Sequence, residues 1–143
     1  MNLAIGKFIG AMVIGLTITG SVYAQIKVGN QKDGGIVFWV DSTGTHGLIA
    51  DIKDLGKFNW NDATNTCKNK GAGWYLPSQD EIEKLLKYQD KVGGFADEYY
   101  WSSSESSPTF AYIQHIPYIP KDPSSIFPVS KTEQYYVRAV RAF

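Results

Sequence analysis

Strand-type sequence lies at both ends of this chain, whereas helical patterns lie only in its middle. Residues 36–40 form a β-branched and aromatic run, a turn cluster follows, and residues 48–50 resume an apolar run. Together they predict a hairpin. Residues 99–103, 110–116 and 135–143 are again rich in residues typical of strands. Because strands precede and follow the helical region instead of alternating with helices, we predict an α+β domain.

The first predicted helix is short. Trp60, Ala63 and Cys67 recur at spacings of three and four, which places them on one side of a helix. Asn61 or Asp62 is expected to cap its start, and a pair of glycines ends it.

The second predicted helix has a clear start signal. Ser78 is followed three residues later by Glu81, which is the capping-box pattern, and Pro77 stands just ahead of it. Apolar residues then recur on one face, so we predict a helix over residues 79–88.

The C-terminal run, residues 135–143, is predicted to be one continuous strand with two faces. Two sets of side chains alternate along it, with Tyr135, Val137 and Ala139 in one set and Tyr136, Arg138 and Val140 in the other. Arg138 and Arg141 lie three residues apart, so we expect them on opposite faces of that strand.

The first 24 residues have the features of a secretory signal peptide. Lys7 precedes an apolar run from Phe8 to Ile18, and residues 22–24 offer the groups that a signal peptidase reads. An uncleaved membrane anchor is the alternative, but polar residues dilute the second half of the run, and a span needs about 20 mostly apolar residues. We expect a single domain over residues 25–143, exported to the periplasm, the cell surface or the extracellular medium, without stable membrane insertion after cleavage.

Composition excludes several classes of function. The 143 residues include 14 Lys and Arg, 14 Asp and Glu, and one Cys. A chain with zero net charge and no basic run lacks the positively charged surface that is typical of nucleic-acid-binding proteins. A single cysteine excludes a scaffold held together by disulfides within the chain. His46 and His115 lie in no metal-binding spacing, and no nucleophile motif occurs, so we expect no enzyme activity, no cofactor and no metal.

Six motifs, taken in order, resemble one known family. They are Gly34-Gly-Ile-Val-Phe-Trp-Val-Asp41, His46-Gly-Leu-Ile-Ala50, Trp60-Asn-Asp-Ala63 with Cys67, Trp74-Tyr-Leu-Pro77 followed by Glu81, Tyr100-Trp-Ser-Ser103 and Tyr136-Val-Arg-Ala-Val-Arg141. This series is similar to the Lcl C-terminal family, named after the tip domain of a bacterial collagen-like adhesin, and covers residues 34–143. The resemblance implies a C-type-lectin-like fold, with two helices packed on small antiparallel sheets and a long irregular loop region for recognition. It also implies glycan binding, because the adhesin that names the family binds sulfated glycosaminoglycans.

Three departures from the family pattern bear on this interpretation. Where the last strand usually carries a cysteine, this chain has Ala139, so Cys67 lacks the partner that a helix-to-strand disulfide would use. We expect Cys67 to be a small buried hydrophobe, with intermolecular pairing and reactivity as open alternatives. Tyr75 replaces the usual arginine. Residues 104–131, which contain five prolines, are expected to form an ordered but irregular set of loops.

The candidate binding residues lie in that segment. They combine rings that can lie against sugar faces with cations that can meet sulfate or carboxylate, and they are Tyr112, His115, Tyr118, Lys121 and Lys131. The alternative is that alternate members of residues 110–116 point inward and the lysines are solvated. Since binding to polyanions depends on counterion release, a chain of zero net charge leaves a neutral glycan or a protein surface as further alternatives.

Two functional hypotheses follow. The first is an exported, non-catalytic recognition module that binds a glycan or a surface protein in an adhesin-like role. The second is a structural or protein-binding scaffold of lectin-like type, whose loops dock a partner protein or another copy of the chain as a homo-oligomer. The sequence predicts the same α+β domain for both.

Overall fold

A computed structural model describes residues 24–117 and 125–143, and the structural statements below refer to these residues. The described elements are β1 (Gln31–Lys32), β2 (Gly35–Val40), β3 (Gly47–Asp51), β4 (Gly56–Phe58), α1 (Trp60–Asn69), β5 (Trp74–Tyr75), α2 (Gln79–Leu86), α3 (Gln89–Val92), β6 (Glu98–Ser107), β7 (Phe110–Ile116), β8 (Ile126–Ser130), β9 (Tyr135–Val137) and β10 (Val140–Ala142). The predicted α+β class is confirmed. No helix among the described residues is long and apolar enough to cross a membrane.

The first sheet, sheet A, contains the predicted hairpin. Its strands lie in the order β1-β2-β3-β10-β5, and all neighbours are antiparallel. In the hairpin, β2 pairs with β3 through Ile36 opposite Ala50 and Val37 opposite Ile49. The C-terminal strand β10 lies between β3 and β5, so the two ends of the domain meet in one sheet.

The second sheet, sheet B, has the order β4-β9-β6-β7-β8, and its neighbours are antiparallel except for the parallel pair β6 and β9. The expectation of irregular loops over residues 104–131 was wrong for most of the described part. There β6 continues to Ser107, and β7 and β8 complete a meander. Pro128 has no backbone N–H to donate. It is compatible with this sheet because β8 is an edge strand, whose outer side forms no hydrogen bonds with another strand.

Helix α1 forms where the spacing of Trp60, Ala63 and Cys67 predicts it, but its cap lies two to three residues earlier than expected. The side chain of Asn59 accepts a hydrogen bond from the backbone N–H of Asp62 at 3.0 Å, and its Nδ2 donates to the Asp62 carboxylate at 2.7 Å. Asn59 has the extended backbone of an N-cap residue, whereas Asn61 and Asp62 are already helical.

Helix α2 begins at the predicted capping box. The backbone N–H of Glu81 donates to Ser78 Oγ, and the backbone N–H of Ser78 donates to the Glu81 carboxylate at 2.8 Å. The other oxygen of that carboxylate accepts a hydrogen bond from the Tyr75 hydroxyl at 2.7 Å. The helix ends at Leu86, two residues before the predicted end, and the short helix α3 follows.

The C-terminal run is not one strand, as predicted, but two strands in different sheets. Strand β9 belongs to sheet B and β10 to sheet A, and Arg138 and Ala139 form the crossing between them. Alternation predicts one buried face, but residues 137–140 are all buried because both sides of the crossing contact the core. Sequence periodicity does not reveal that a chain passes from one sheet to another.

The guanidinium of Arg138 is only 2% exposed and binds two loops at once. Its Nε and Nη2 lie 2.8 and 2.7 Å from Asp54 Oδ1. Its Nη1 donates to the carbonyls of Asp51 and Gly93, and its Nη2 donates to the carbonyl of Gly94. Gly94 has a φ of +69°, and a Cβ there would lie 3.0 Å from a backbone oxygen, so a side chain would disrupt this contact.

Tyr100 extends the same network into sheet B. Its hydroxyl donates to Asp54 Oδ2 at 2.7 Å and accepts from the backbone N–H of Ala96, also at 2.7 Å. Burial, and then the neighbouring Asp54 carboxylate, raise the pKa of the Tyr100 hydroxyl. Arg138, Asp54 and Tyr100 thus form one polar network inside the domain, which we call the arginine network.

The main core lies between the two sheets. Val37 and Ile49 from sheet A face Trp101 and Ile113 from sheet B, and α1 contributes Cys67. Helix α2 packs on Tyr100 and Ile116, on the opposite face of sheet B. Cys67 is fully buried, as predicted, and so is Trp101.

We predict that the arginine network is the most sensitive polar contact of the described fold. Arg138→Ala would leave Asp54 Oδ1 and three backbone carbonyls without the guanidinium that donates to them, and removing one partner of a buried ion pair costs about 3 to 5 kcal/mol. Urea unfolding followed by circular dichroism would measure this loss. Arg141→Ala is the matched control, since Arg141 is half-buried on the next strand, and equal losses for the two variants would contradict the prediction.

A second prediction concerns Cys67. Burial raises the pKa of this thiol to about 12, so a thiol reagent should label it only when the protein unfolds. Ala139 lies in the same core cluster, and Ala139→Cys should form a disulfide with Cys67 that stabilises the domain by up to about 4 kcal/mol. Non-reducing mass spectrometry would detect the bond. Ala142→Cys, exposed on β10, should leave Cys67 free, and a reduced Cys67 in the Ala139→Cys variant under oxidising conditions would refute the prediction.

Candidate functional site

Of the five predicted binding residues, the structure describes Tyr112, His115 and Lys131, and it does not bring these three together. Tyr118 and Lys121 lie outside the described residues. Tyr112 and His115 both lie on β7, whose pairing with β8 is regular over residues 110–114. Because they are three residues apart, their side chains point to opposite faces of sheet B.

Lys131 is held by contacts within the domain. Its ammonium lies 2.6 Å from the Glu105 carboxylate and donates to the carbonyl of Pro108 at 2.9 Å. It also lies 4.2 Å from the centre of the Trp60 ring, and its side chain is 15% exposed. This lysine therefore links the β6–β7 hairpin to the start of α1, and its charge is already balanced.

His115, in contrast, belongs to a group of aromatic side chains on one face of sheet B. We call this group the aromatic ledge, and it consists of Tyr99, His115, Phe127 and Tyr135. Tyr99 lies at its centre, with ring centroids 4.8 Å from His115, 5.4 Å from Phe127 and 6.4 Å from Tyr135. All three pairs meet edge to face, which is a preferred arrangement of aromatic rings.

Strand register explains why these rings meet. Tyr99 on β6 lies directly opposite His115 on β7, and Phe127 on β8 lies opposite Ile113, two residues from His115 on the same face. Cross-strand neighbours on one face are within contact distance for aromatic side chains. Tyr135 reaches the group from β9, on the other side of β6.

A fully buried tryptophan supports the ledge. The Trp101 ring lies two residues from Tyr99 on the same face of β6, and its centroid is 5.1 Å from that of Tyr135. Its indole N–H donates to the carbonyl of Phe58 at 2.8 Å, which fixes its orientation. The ledge is thus the continuation of the main core toward solvent.

The ledge is partly open to solvent. Phe127 is 37% exposed, and Tyr99, His115 and Tyr135 are half-buried. Rings of this kind, with polar groups at their edges, can pack against the apolar face of a sugar and also hydrogen-bond to its hydroxyls. The chemistry that this arrangement supports is noncovalent binding of a ligand with one flat apolar face.

Acidic groups border the ledge. The carboxylate of Asp97 lies 3.2 Å from His115 Nε2, and its side chain is 79% exposed. On the other side, Glu133 acts on Tyr135, whose hydroxyl pKa is raised by burial first and then by the neighbouring carboxylate and Tyr99. Asp97 and Glu133, which lie beside the ledge, are therefore both negative.

A small cleft adjoins the ledge at Asp97. It has a volume of about 260 Å³, and the loop after α3 and the end of β7 form its walls. Its lining residues are Gln89, Asp90, Gly93, Gly94, Phe95, Asp97, Ile116 and Pro117. The charged side chains in this lining, Asp90 and Asp97, are both carboxylates, so we call it the acidic cleft.

A larger cleft of about 380 Å³ lies on another side of the domain, between residues 25–28, Trp39 and Tyr88. Its one acidic lining group, Asp41, is already used by its own loop. Its carboxylate accepts hydrogen bonds from Thr43, from the backbone of Thr45 and from His46, and the Thr43 hydroxyl is the main contact that lowers the pKa of Asp41 to about 2.

The described residues contain no group of three or more His, Cys, Asp or Glu side chains that could hold a metal ion. The thiol of Cys67 is fully buried and is not accessible to a substrate.

Sequence patterns identified one member of the ledge, His115, and missed the other three. Tyr99 and Tyr135 lie in runs predicted as strands, so their side chains could be assigned to a face only once the register was known. Phe127 lies in the proline-rich segment that we expected to be irregular, where no alternation could be applied. The signal that was available was the unusually high aromatic content of the chain, which includes nine tyrosines.

No protein-family model matches this chain, and no curated protein matches it either. Solved structures that are similar to it include those of EMS16, described as an antagonist of the collagen receptor integrin α2β1, and of botrocetin. EMS16 is 14% identical with a TM-score of 0.45, and botrocetin is 16% identical with a TM-score of 0.46. Each comparison covers 78% of this chain and 98% of the other. At these identities and TM-scores the likeness is distant.

We predict that Lys131 contributes to stability rather than to ligand contact. Lys131→Ala removes an ion pair, a hydrogen bond and a contact with Trp60 that are mostly shielded from water, and should lower the free energy of unfolding by about 1 to 2 kcal/mol. Lys57→Ala is the matched control, because Lys57 also pairs with a glutamate and lies over a tyrosine ring but is 46% exposed, and its loss should be under about 0.5 kcal/mol. Thermal or urea unfolding distinguishes the two, and equal losses would count against the prediction.

Proposed function

We propose that this chain is an exported, non-catalytic recognition module that binds glycans in an adhesin-like role, with the aromatic ledge as its contact surface. The observation that carries the proposal is the meeting of Tyr99, His115, Phe127 and Tyr135 on one partly exposed face. Residues 1–24 would act as the signal peptide, and residues 25–143 would form the mature domain.

The geometry of the ledge supports glycan binding in two ways. Tyr99 and Tyr135 lie on paired strands of sheet B and contact each other edge to face. Because these contacts already order the two side chains, ligand binding would cost little side-chain entropy. The ledge also spans three adjacent strands, from β9 through β6 to β7, with Phe127 on β8 beyond them. Since adjacent strands lie about 4.8 Å apart, this surface extends over more than one sugar ring.

The described charges favour glycans that are not sulfated. Lys131, which we expected to meet sulfate, is neutralised by Glu105, and Lys57 pairs with Glu98. The groups that border the ledge are acidic. A sulfate at the ledge would therefore face carboxylates, which disfavour it.

The experiment that tests the proposal compares two exposed phenylalanines on sheet B. Phe127→Ala removes a ring of the ledge, and Phe110→Ala removes a ring of similar exposure, 43%, on the opposite face. Stacking of a nucleic-acid base on an aromatic side chain is worth about 1 to 3 kcal/mol. With a comparable contribution from a sugar face stacked on Phe127, Phe127→Ala should weaken glycan binding at least about fivefold and Phe110→Ala should not. Binding is measured on a glycan array and then by calorimetry on the best ligand, with EDTA present throughout.

A blank glycan array for the intact, folded domain would refute glycan binding. In that case concentration-dependent oligomers or a co-purifying protein would favour the scaffold hypothesis. Equal loss of binding in the two phenylalanine variants would contradict the assignment of the ledge. Circular dichroism of both variants is the control for folding.

A further inference from the structure

We propose that the domain binds the surface of an anionic membrane through a second face, separate from the aromatic ledge. We call it the basic face, and it consists of the rings and lysines around the cleft of about 380 Å³, which are Trp39, Tyr88, Lys27, Lys84, Lys87 and Lys91. The inference goes beyond the proposed function, since the basic face shares no residue with the ledge. The binding is peripheral and inserts no helix.

The first step concerns the two rings of the cleft. Trp39 on β2 and Tyr88, in the turn between α2 and α3, line the same cleft. Trp39 is half-buried and Tyr88 is 36% exposed, so both rings reach solvent. Tryptophan and tyrosine favour the headgroup region of a membrane, because each joins an apolar ring to a polar group. Two such rings at one cleft therefore suit a lipid interface.

The second step concerns the lysines beside these rings. Lys27 lines the cleft, and the ammonium of Lys84 lies 4.8 Å from the centre of the Trp39 ring. The side chain of Lys91 lies against Gly29, because a Cβ at Gly29 would be 3.6 Å from Lys91 Cδ. Lysines from the N-terminal segment and from the helices thus meet around one pair of rings.

Helical geometry places a further lysine on this side. Lys84, Lys87 and Lys91 follow one another at spacings of three and four residues, which lie on one side of a helix. The turns continue from α2 into α3, since the N–H of Tyr88 donates to the Leu85 carbonyl at 3.0 Å and the N–H of Lys91 donates to the Tyr88 carbonyl at 2.9 Å. Lysines close to an anionic membrane surface each add to the attraction.

These lysines outnumber the free carboxylates around them. None of the four forms an ion pair with another residue of ranges 24–117 and 125–143. Asp41 is bound within its own loop by Thr43, and Asp90 lines the acidic cleft instead. Asp80 and Glu83 remain on the exposed surface of α2. The basic face therefore carries an excess of positive charge, which complements anionic lipid.

The N-terminal segment favours a membrane over a soluble anion as the occupant. Gln25 and Ile26 line the cleft, so the chain enters the domain at the basic face. The apolar run of residues 8–18 precedes it, and six residues, 19–24, connect the two. A fully extended connection of this length spans at most about 25 Å, so the basic face stays near the lipid while the run lies in a membrane. After cleavage, the lysines and rings maintain that contact.

The test measures binding of residues 25–143, which contain every described strand and helix, to lipid vesicles. Vesicles of equal parts phosphatidylglycerol and phosphatidylcholine provide the anionic surface, and vesicles of pure phosphatidylcholine are the neutral control. Co-sedimentation should show at least about tenfold tighter binding to the anionic vesicles at low salt, and the difference should decrease at high salt. Absence of binding to the anionic vesicles, or equal binding to both kinds, overturns the inference.

Two double variants distinguish the basic face from the general charge of the protein. Lys27→Gln with Lys91→Gln should weaken binding to the anionic vesicles at least about tenfold. Lys57→Gln with Lys68→Gln removes the same charge from β4 and α1, and should change binding less than about twofold. Helix α1 contacts β5, at the other edge of sheet A from β1 and β2. Equal losses in the two double variants would show general attraction and overturn the inference.

The rings have a test of their own. Tyr88→Ala should weaken vesicle binding at least about threefold, whereas Phe110→Ala, which removes a ring that is 43% exposed on sheet B, should not. Brominated acyl chains should quench part of the tryptophan fluorescence of the bound protein, and Trp39→Phe should abolish that quenching. Quenching that persists in Trp39→Phe would place another face at the lipid and contradict the assignment. Circular dichroism of each variant is the control for folding.

The outcomes separate this inference from the proposed function. Glycan binding should persist in the double variant of Lys27 and Lys91, and vesicle binding should persist in Phe127→Ala. Joint loss of both activities in either folded variant would show that one surface serves both and would contradict the separate face. A heparin tetrasaccharide is the soluble anionic probe. If it binds the basic face and the anionic vesicles do not, the occupant is an anionic glycan and the membrane inference is overturned.

Discussion

A buried guanidinium connects parts of this domain that hydrophobic packing alone would leave free to move. Arg138 lies where the chain crosses from sheet B to sheet A, and it binds Asp54 together with the carbonyls of Asp51, Gly93 and Gly94. Burying a charge is costly unless it is paired and hydrogen-bonded, and here every nitrogen has a partner. The arrangement therefore specifies one position for the β3–β4 loop and one for the loop after α3.

This constraint also sets the position of the candidate site. Tyr100 joins the arginine network from β6 and fixes that strand in the middle of sheet B. Its two neighbours in sequence, Tyr99 and Trp101, point to the other face, where Trp101 enters the main core and Tyr99 forms the centre of the aromatic ledge. The same loop after α3 that Arg138 holds also forms a wall of the acidic cleft.

The relation between core and ledge explains how a partly exposed surface comes to carry so many rings. Trp101 and Ile113 are covered by Val37 and Ile49 of sheet A. Tyr99 and His115 lie two residues from Trp101 and Ile113 on the same two strands. Sheet A covers them incompletely, so their rings remain half-buried. The ledge is therefore built on paired strands, and the order of its rings depends on strand register rather than on a loop.

The sequence by itself determined the elements whose signals are local. The capping box of Ser78 and Glu81, the spacing in α1 and the hairpin of residues 36–50 all depend on groups within a few residues of one another, so the α+β class could be predicted. Only the tertiary structure decided the rest. Buried residues on both sides of Arg138, the sheet character of residues 126–130 and the meeting of Tyr99, Phe127 and Tyr135 depend on partners that are distant along the chain. Hydrophobic periodicity records which side of an element is apolar, but it does not record which element covers that side.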